Sequence, residues 1–271
     1  EAAQSLADAG VHLIDLTLGE DPLYFKDQDF EPFIQLVKAV RQTTGLPIMV
    51  SPGVVPADVL SGLSDAGASW YACYQETHNR ELFKRLRPGQ SFAARMENKE
   101  LAGQLELLTE EGLLCGFGES AQDIADSIRA MCRLNVSQMR AMTFVPQQGT
   151  PMQSWQNSDP RREMLMIAVL RLAFPDRLIP ATLDVAGLAG LHSRLEAGAN
   201  VVTSLVPPGF GLAGVAQNSL DIADARRTPA SIRQELESAG MQSAAGADFS
   251  LWTANRRRLI RPDHTEEKVA C

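Results

Sequence analysis

The chain is poor in the residues that bind metal ions. Its four cysteines, Cys73, Cys115, Cys132 and Cys271, lie too far apart for a CxxC or CxxxCxxC spacing, so ligation of an iron–sulfur cluster or zinc by a local motif is unsupported. Cys73 and Cys115 fall in apolar strand candidates and read as small core residues, and no disulfide framework is implied. The four histidines, His12, His78, His192 and His264, form no HxH or HExxH pair. Also lacking is any apolar run approaching the roughly 20 residues that cross a bilayer, and the first residues carry no signal-peptide pattern. The expectation is a cytoplasmic protein without a membrane partner. A basic face is missing too: with a net charge of -8 and a pI of about 5.1, the chain does not carry the footprint of a nucleic-acid partner.

What is present suits one large core, since 271 residues with 45% hydrophobic content fit a single α/β barrel. The Ala-rich stretch Glu1 to Gly10 reads as the second half of a helix with a glycine cap. Leu13-Ile14-Asp15-Leu16-Thr17-Leu18 follows as a buried strand, closed by Gly19-Glu20-Asp21-Pro22. Helix and strand patterns then alternate. A helix from Phe30 to Thr44 precedes a strand at Leu46 to Ser51, and Ala57 to Ala66 precedes Trp70 to Tyr74. A long helix from Phe92 to Glu111 is expected to end at Gly112, before a strand at Leu113 to Gly116. Helices at Ala121 to Leu134, Arg161 to Phe174 and Leu188 to Ala197 lead into strands at Met139 to Phe144, Leu178 to Leu183 and Asn200 to Leu205.

The recurring ends Asp8-Ala9-Gly10, Asp65-Ala66-Gly67, Glu110-Glu111-Gly112 and Glu196-Ala197-Gly198 read as αβ loops in which glycine takes the left-handed cap. Seven strand candidates stand where a closed barrel has eight. They predict a TIM-type (β/α)₈ barrel lacking the first strand, spanning residues 1–251, with a charged tail at 252–271 whose Arg256-Arg257-Arg258 reads as solvated.

In such a barrel the loops after the strand carboxyl ends carry the site. Asp15, Glu20, Ser51, Glu76, Arg140, Thr182 and Asp184 fall on or just after strand candidates, and Arg95 starts a helix. Arg140 offers a planar fork that holds a carboxylate in two parallel hydrogen bonds, while Asp15 and Asp184 can each accept an ammonium. That set suits an amino acid with a second amine; a buried Arg140–Asp184 ion pair that only ties neighbouring strands fits the same spacing. Gly209-Phe210-Gly211-Leu212-Ala213-Gly214 satisfies GxGxxG, yet its place in the last βα loop, without Rossmann topology, argues against a dinucleotide site. Gly116-Phe117-Gly118-Glu119-Ser120 reads either as a close backbone approach to a ligand before a helix capped at Ser120, or as a plain strand-to-helix turn.

Several of these strings together carry a resemblance. Ile14-Asp15-Leu16-Thr17-Leu18-Gly19-Glu20-Asp21-Pro22, Tyr74-Gln75-Glu76-Thr77, Leu86-Arg87 with Gly89-Gln90-Ser91-Phe92, Gly116-Phe117-Gly118, and Met142-Thr143-Phe144-Val145-Pro146-Gln147 with Gly149-Thr150-Pro151 resemble the methylornithine synthase family. The likeness continues through Leu178-Ile179-Pro180-Ala181, Ala197-Gly198-Ala199-Asn200 and Pro207-Pro208 to Ala247-Asp248-Phe249. These are radical S-adenosylmethionine (SAM) lysine mutases of pyrrolysine biosynthesis, in the biotin-synthase-like branch. The resemblance implies a [4Fe-4S] cluster fed by an electron donor, cleavage of SAM to a deoxyadenosyl radical, and isomerisation of lysine to 3-methylornithine.

Carried over position by position, the resemblance makes Asp15, Ser51, Arg140, Thr182 and Asp184 the substrate shell. It gives Gly19 and Glu20 to the SAM amino group, Glu76 to the ribose diol and Arg95 to the SAM carboxylate, with Tyr74 and Val145 lining the cofactor. The family has Ser where this chain has Thr182, which adds a methyl group to the pocket wall. Its CxxxCxxC would lie on the loop after the first strand, upstream of Glu1, so the expectation is an N-terminally truncated chain that cannot assemble the cluster. A cluster-free barrel that binds a diamino acid or nucleoside without radical chemistry is the alternative.

Overall fold

The computed structural model describes residues 1–156, 158–207 and 226–260. Helix α1 (Ala2–Asp8) leads into β1 (Ile14–Thr17), the short α2 (Pro22–Phe25) and α3 (Glu31–Thr44), then β2 (Ile48–Ser51), α4 (Ala57–Asp65) and β3 (Ala68–Ala72). Two helices, α5 (Arg80–Leu86) and α6 (Phe92–Gln104), precede β4 (Leu108–Cys115). The chain continues with α7 (Ala121–Arg133), β5 (Gln138–Thr143), α8 (Arg161–Ala173), β6 (Pro180–Thr182), α9 (Leu191–Glu196) and β7 (Val201–Thr203). Helices Pro229–Ser238 and Gly246–Ile260 follow.

The paired strands are all parallel. β1 to β5 form a sheet in chain order, β6 pairs with β7, and an isolated bridge from Gln138 to Leu178 carries the order across from β5 to β6. This is the TIM-type arrangement of seven strands expected from the alternation. The sheet is not closed: among the described residues β1 pairs only with β2 and β7 only with β6. Between them lies a cavity of about 840 Å³ lined in part by His12, Leu13, Trp70, Val201, Phe249 and Trp252.

Both faces of the sheet are covered, so the period-two alternation divides the strands between two apolar layers. Ile48, Val50 and Tyr71 face outward into one core with Phe33 and Val37 of α3 and Leu60 and Leu63 of α4. Met139 and Ala141 of β5 and Ala181 of β6 face a second outer core with Met131, Met166, Ile167 and Leu170. Their neighbours turn inward. Met49, Trp70, Leu108 and Leu178 fill the amino-terminal end of the barrel, joined by Phe249 and Trp252. Trp70 and Trp252 stack with centroids 6.1 Å apart, and Phe249 stacks on both Trp252 and His12.

This packing corrects the solvated tail at Arg256 and Arg257, while Arg258 is exposed as expected. The stretch is helical to Ile260, so the boundary drawn between 251 and 252 falls inside a helix that closes the barrel floor. Arg256 is buried, donating to the Asn135 carbonyl at 3.2 Å and its Oδ1 at 2.9 Å, while Arg257 donates to the Glu106 carbonyl at 3.2 Å. Burial pulls the Arg256 guanidinium down to about 10.

Three of the four expected glycine caps hold, with φ of 81° at Gly10, 106° at Gly67 and 114° at Gly198. The fourth fails. α6 ends at Gln104, Glu106 takes the left-handed turn at φ 57°, and Glu110, Glu111 and Gly112 belong to β4. Composition made Glu110-Glu111-Gly112 look like an exposed helix end, but both carboxylates are fully buried beside cations. Gly112 is small for a different reason: a Cβ there would meet Cγ of the Tyr74 ring at 2.7 Å. The cysteine spacing implies no disulfide framework, yet Cys132 is disulfide-bonded. The GxGxxG at 209–214 lies outside the described residues.

Two alanine substitutions separate these roles of glycine. Gly112→Ala should destabilise the protein by about 1–3 kcal/mol through overpacking against Tyr74. Gly103→Ala, in α6 with open space around it, should stabilise by about 0.5–1 kcal/mol. Denaturant midpoints of the two variants, measured side by side, check both signs.

Candidate active site

The polar side chains of the inward-facing rows gather above the aromatic floor, at the strand carboxyl ends. Arg140 stands in β5 opposite Gly112 of β4, where its guanidinium lies 5.8 Å from the Tyr74 ring centroid. Its Nε donates to Glu110 Oε1 at 2.9 Å and its Nη1 to Thr203 Oγ1 at 3.0 Å. Burial works against the charge, yet Glu110 raises the Arg140 pKa and holds it protonated. The ion pair is therefore with Glu110. The alternative Arg140–Asp184 pair is not formed.

Asp184 has its own shell. Its Oδ2 accepts from Ser204 Oγ at 2.6 Å and Thr182 Oγ1 at 3.0 Å, and its Oδ1 lies 3.3 Å from Arg227 Nη2. Ser204 reaches it because its backbone turns left-handed, at φ 67°, directly after Thr203. That break in alternation lets consecutive hydroxyls serve Arg140 and Asp184. Asp15, on the far side of the lumen, accepts from Ser51 Oγ at 3.0 Å. Enclosure by protein, with Glu110 second, pushes its carboxyl up to about 6. The Asp15 side chain nonetheless keeps contact with solvent in the lumen, so the surrounding is crowded but not dry.

A second polar chain runs along the rim. Arg95 donates to Glu20 Oε1 at 2.9 Å and twice to the Tyr74 carbonyl, at 2.8 and 3.1 Å. Glu76, at φ 63°, accepts at Oε1 from Arg87 Nη2 at 2.6 Å. Gln90 joins the two pairs: its Oε1 accepts from Arg95 and Arg87, and its Nε2 donates to Glu20 Oε2 at 2.9 Å. Glu20 packs over Gly53, where a Cβ would sit 2.2 Å from Glu20 Cγ. Gly19, at φ 65°, has open space about it, and Val145 is half-buried on the loop after β5.

Behind this rim, outside the barrel, lies a buried cluster that was not legible in advance. Lys99 pairs with Glu111 and donates to Gln75 Oε1 at 2.9 Å, while Glu111 Oε1 accepts from the backbone N–H groups of Gln75 and Gly112. Burial disfavours the Glu111 carboxylate, but Lys99 and His78 bring it below the usual range. His78, 3.6 Å from Glu111, is driven by burial to about 4 and is neutral at physiological pH. In the Gly116–Gly118 turn the first two N–H groups are already taken, while Gly118 has open space about it. Glu119 takes the Gly116 and Phe117 N–H groups at 2.7 and 3.0 Å, and a Cβ on Gly116 would strike Ser158. Ser120 caps α7 with a capping box to Asp123, as the turn reading anticipates.

The donor set fits a nucleoside bearing an amino-acid end. A buried Glu76 Oε2 lacks any hydrogen-bond partner, as an acceptor for a vicinal diol would, and the Arg95–Glu20 pair matches a carboxylate and an ammonium. An iron–sulfur cluster does not fit the described residues. Cys73 and Cys115 are buried free thiols in different strands or strand ends, Cys132 is in a disulfide, and no cluster of three metal-ligating groups is present among the described residues.

The barrel and its relatives belong to the radical SAM class, in its biotin-synthase-like branch. No protein-family model matches the chain. It is 42% identical over 249 residues to the 3-methylornithine synthase of Methanosarcina barkeri, an alignment covering 92% of this chain and 71% of that protein. The Methanosarcina acetivorans enzyme of the same name is 41% identical over equal coverage. The crystal structure of methylornithine synthase (PylB) superposes with a TM-score of 0.86, covering 92% of this chain and 74% of that one. At 28% identity, the [FeFe] hydrogenase maturase subunit HydE of Thermotoga maritima covers 74% of this chain with 58% of its own length. The chain belongs to the 3-methylornithine synthase family.

The Asp15 shift fixes a pH dependence. Its native pKa lies above the ordinary 3.8, so the native state binds this proton more tightly than the unfolded state, and stability falls as pH rises through the window from about 4 to about 6. Asp15→Asn should remove that decline. The change in unfolding midpoint from pH 4.5 to pH 7.5 should therefore be shifted in favour of stability at pH 7.5 in the variant relative to the parent chain.

Proposed function

We propose that the lumen binds L-lysine and that this chain forms the substrate and cofactor chamber for its conversion to 3-methylornithine. The single observation that supports this most is the gathering of Arg140, Asp15 and Asp184 in the lumen of a barrel so similar to 3-methylornithine synthase. Arg140 would clamp the carboxylate. With Nε on Glu110 and one Nη1 hydrogen on Thr203, it keeps its outer Nη1 and Nη2 hydrogens for a two-pronged, end-on grip. Asp15, steadied by Ser51, and Asp184, steadied by Thr182 and Ser204, would each receive an ammonium. The Thr182 methyl group sits in a fully buried wall and narrows the pocket beside Asp184.

S-adenosylmethionine is the cofactor that the rim suits, and when bound it supplies the 5′-deoxyadenosyl group that takes a hydrogen from substrate. Glu20 and Arg95 would hold its amino-acid end near the open backbone of Gly19, Glu76 its ribose, and Tyr74 and Val145 its flanks. The part of the protein is to orient both ligands and keep water from the reacting carbons.

Arg140→Lys keeps the charge but loses the planar fork, and should weaken lysine binding about tenfold or more. Isothermal titration of the purified chain with lysine reads this directly. Equal affinity in the variant would remove Arg140 from the carboxylate site.

A further inference from the structure

Arg227 is the most costly side chain in the lumen wall. It is 1% exposed, and among the described residues its Nε and Nη1 have no hydrogen-bond partner and its one polar side-chain contact is the 3.3 Å approach of Nη2 to Asp184 Oδ1. Its backbone is fixed independently, since its carbonyl accepts from Val206 at 3.0 Å and Thr228 begins the helix Pro229–Ser238. Ser204 and Thr182 both bond Asp184 Oδ2, so Arg227 faces the other oxygen, Oδ1, and does so at long range. A buried guanidinium so poorly bonded is explained by its charge, not by its hydrogen bonds.

Among the described residues of the lumen, the carboxylates of Asp15, Glu110 and Asp184 face the guanidiniums of Arg140 and Arg227. Three negative groups against two positive ones leave a single negative charge. A diamino acid, with two ammonium groups and a carboxylate, carries one positive charge and matches it; a diamine of the same length carries two and does not. We propose that Arg227 is a specificity-determining residue that sets the lumen charge so that a diamino acid is accepted and the corresponding diamine is rejected. This rests on the reading of the lumen as a diamino acid site. It adds to that reading a residue placed to discriminate through charge without touching the substrate carboxylate, because a lone excess charge in an enclosed site acts on every ligand that enters.

The test compares lysine, cadaverine and norleucine by calorimetry on the full chain. Arg227→Met should tighten cadaverine binding and move the lysine-to-cadaverine preference at least tenfold toward cadaverine, while Arg227→Lys should keep the parent preference. The Asp184→Asn, Arg227→Met double variant has no unpaired buried charge; it should bind both ligands more weakly but retain the parent preference, and it serves if the single variant does not fold. An unchanged preference in Arg227→Met, a tenfold shift in the double variant, or loss of lysine with cadaverine untouched would overturn the proposal, the last by making Arg227 a carboxylate holder. Failure of the underlying reading shows separately, as a parent chain that does not prefer lysine to norleucine; the cadaverine change in Arg227→Met then still reads the charge effect.

Discussion

A guanidinium placed inside a barrel must have an anion beside it, and the interior of this protein is built around that requirement. Arg140 is met by Glu110, which lies two residues before the glycine that gives Tyr74 its room. The pairing engages Nε of Arg140, and Thr203 takes up Nη1, which leaves Nη2 on the far side of the guanidinium. It also leaves Asp15 as the carboxylate without a cation of its own. Its elevated pKa comes first from enclosure by protein and then from Glu110, against which Ser51 and the already engaged Arg140 only partly compensate.

The same rule operates on the outer side of β4. Glu110 and Glu111 are adjacent and point to opposite faces, so one strand supplies the counter-ion for the lumen and the counter-ion for Lys99. Through Glu111 the backbone of Gln75 is held against Gly112, and with it the segment that carries Tyr74 and Glu76. Neutral His78 and buried Lys99 therefore bear on the rim from behind, by fixing where its backbone runs.

The alternation of helices and strands was legible because both faces of each strand are apolar over short runs and three glycines mark the αβ loops. Asp15, Arg140 and Asp184 were legible because a charge within or just after a core strand is expensive wherever it stands. Glu110 and Glu111 were not, since two acids before a glycine are also what a solvated helix end looks like; their partners lie 30 and 12 residues away. Arg256 misled in the same way, its acceptors at Asn135 being more than a hundred residues distant. Arg227 lies 43 residues from Asp184, outside any strand candidate, and Gln90 carries no charge to draw notice. A buried ion is recognisable in sequence only when its partner is, and here the partners come together only when distant strands and helices pack side by side.

Gln90 touches Glu20, Arg95 and Arg87 with one neutral amide, and Arg87 holds Glu76. On the reading proposed above, the carboxylates that would anchor a nucleoside and its amino-acid arm are thereby strung on a common tether. A shift of either one is passed to the other through a single neutral side chain.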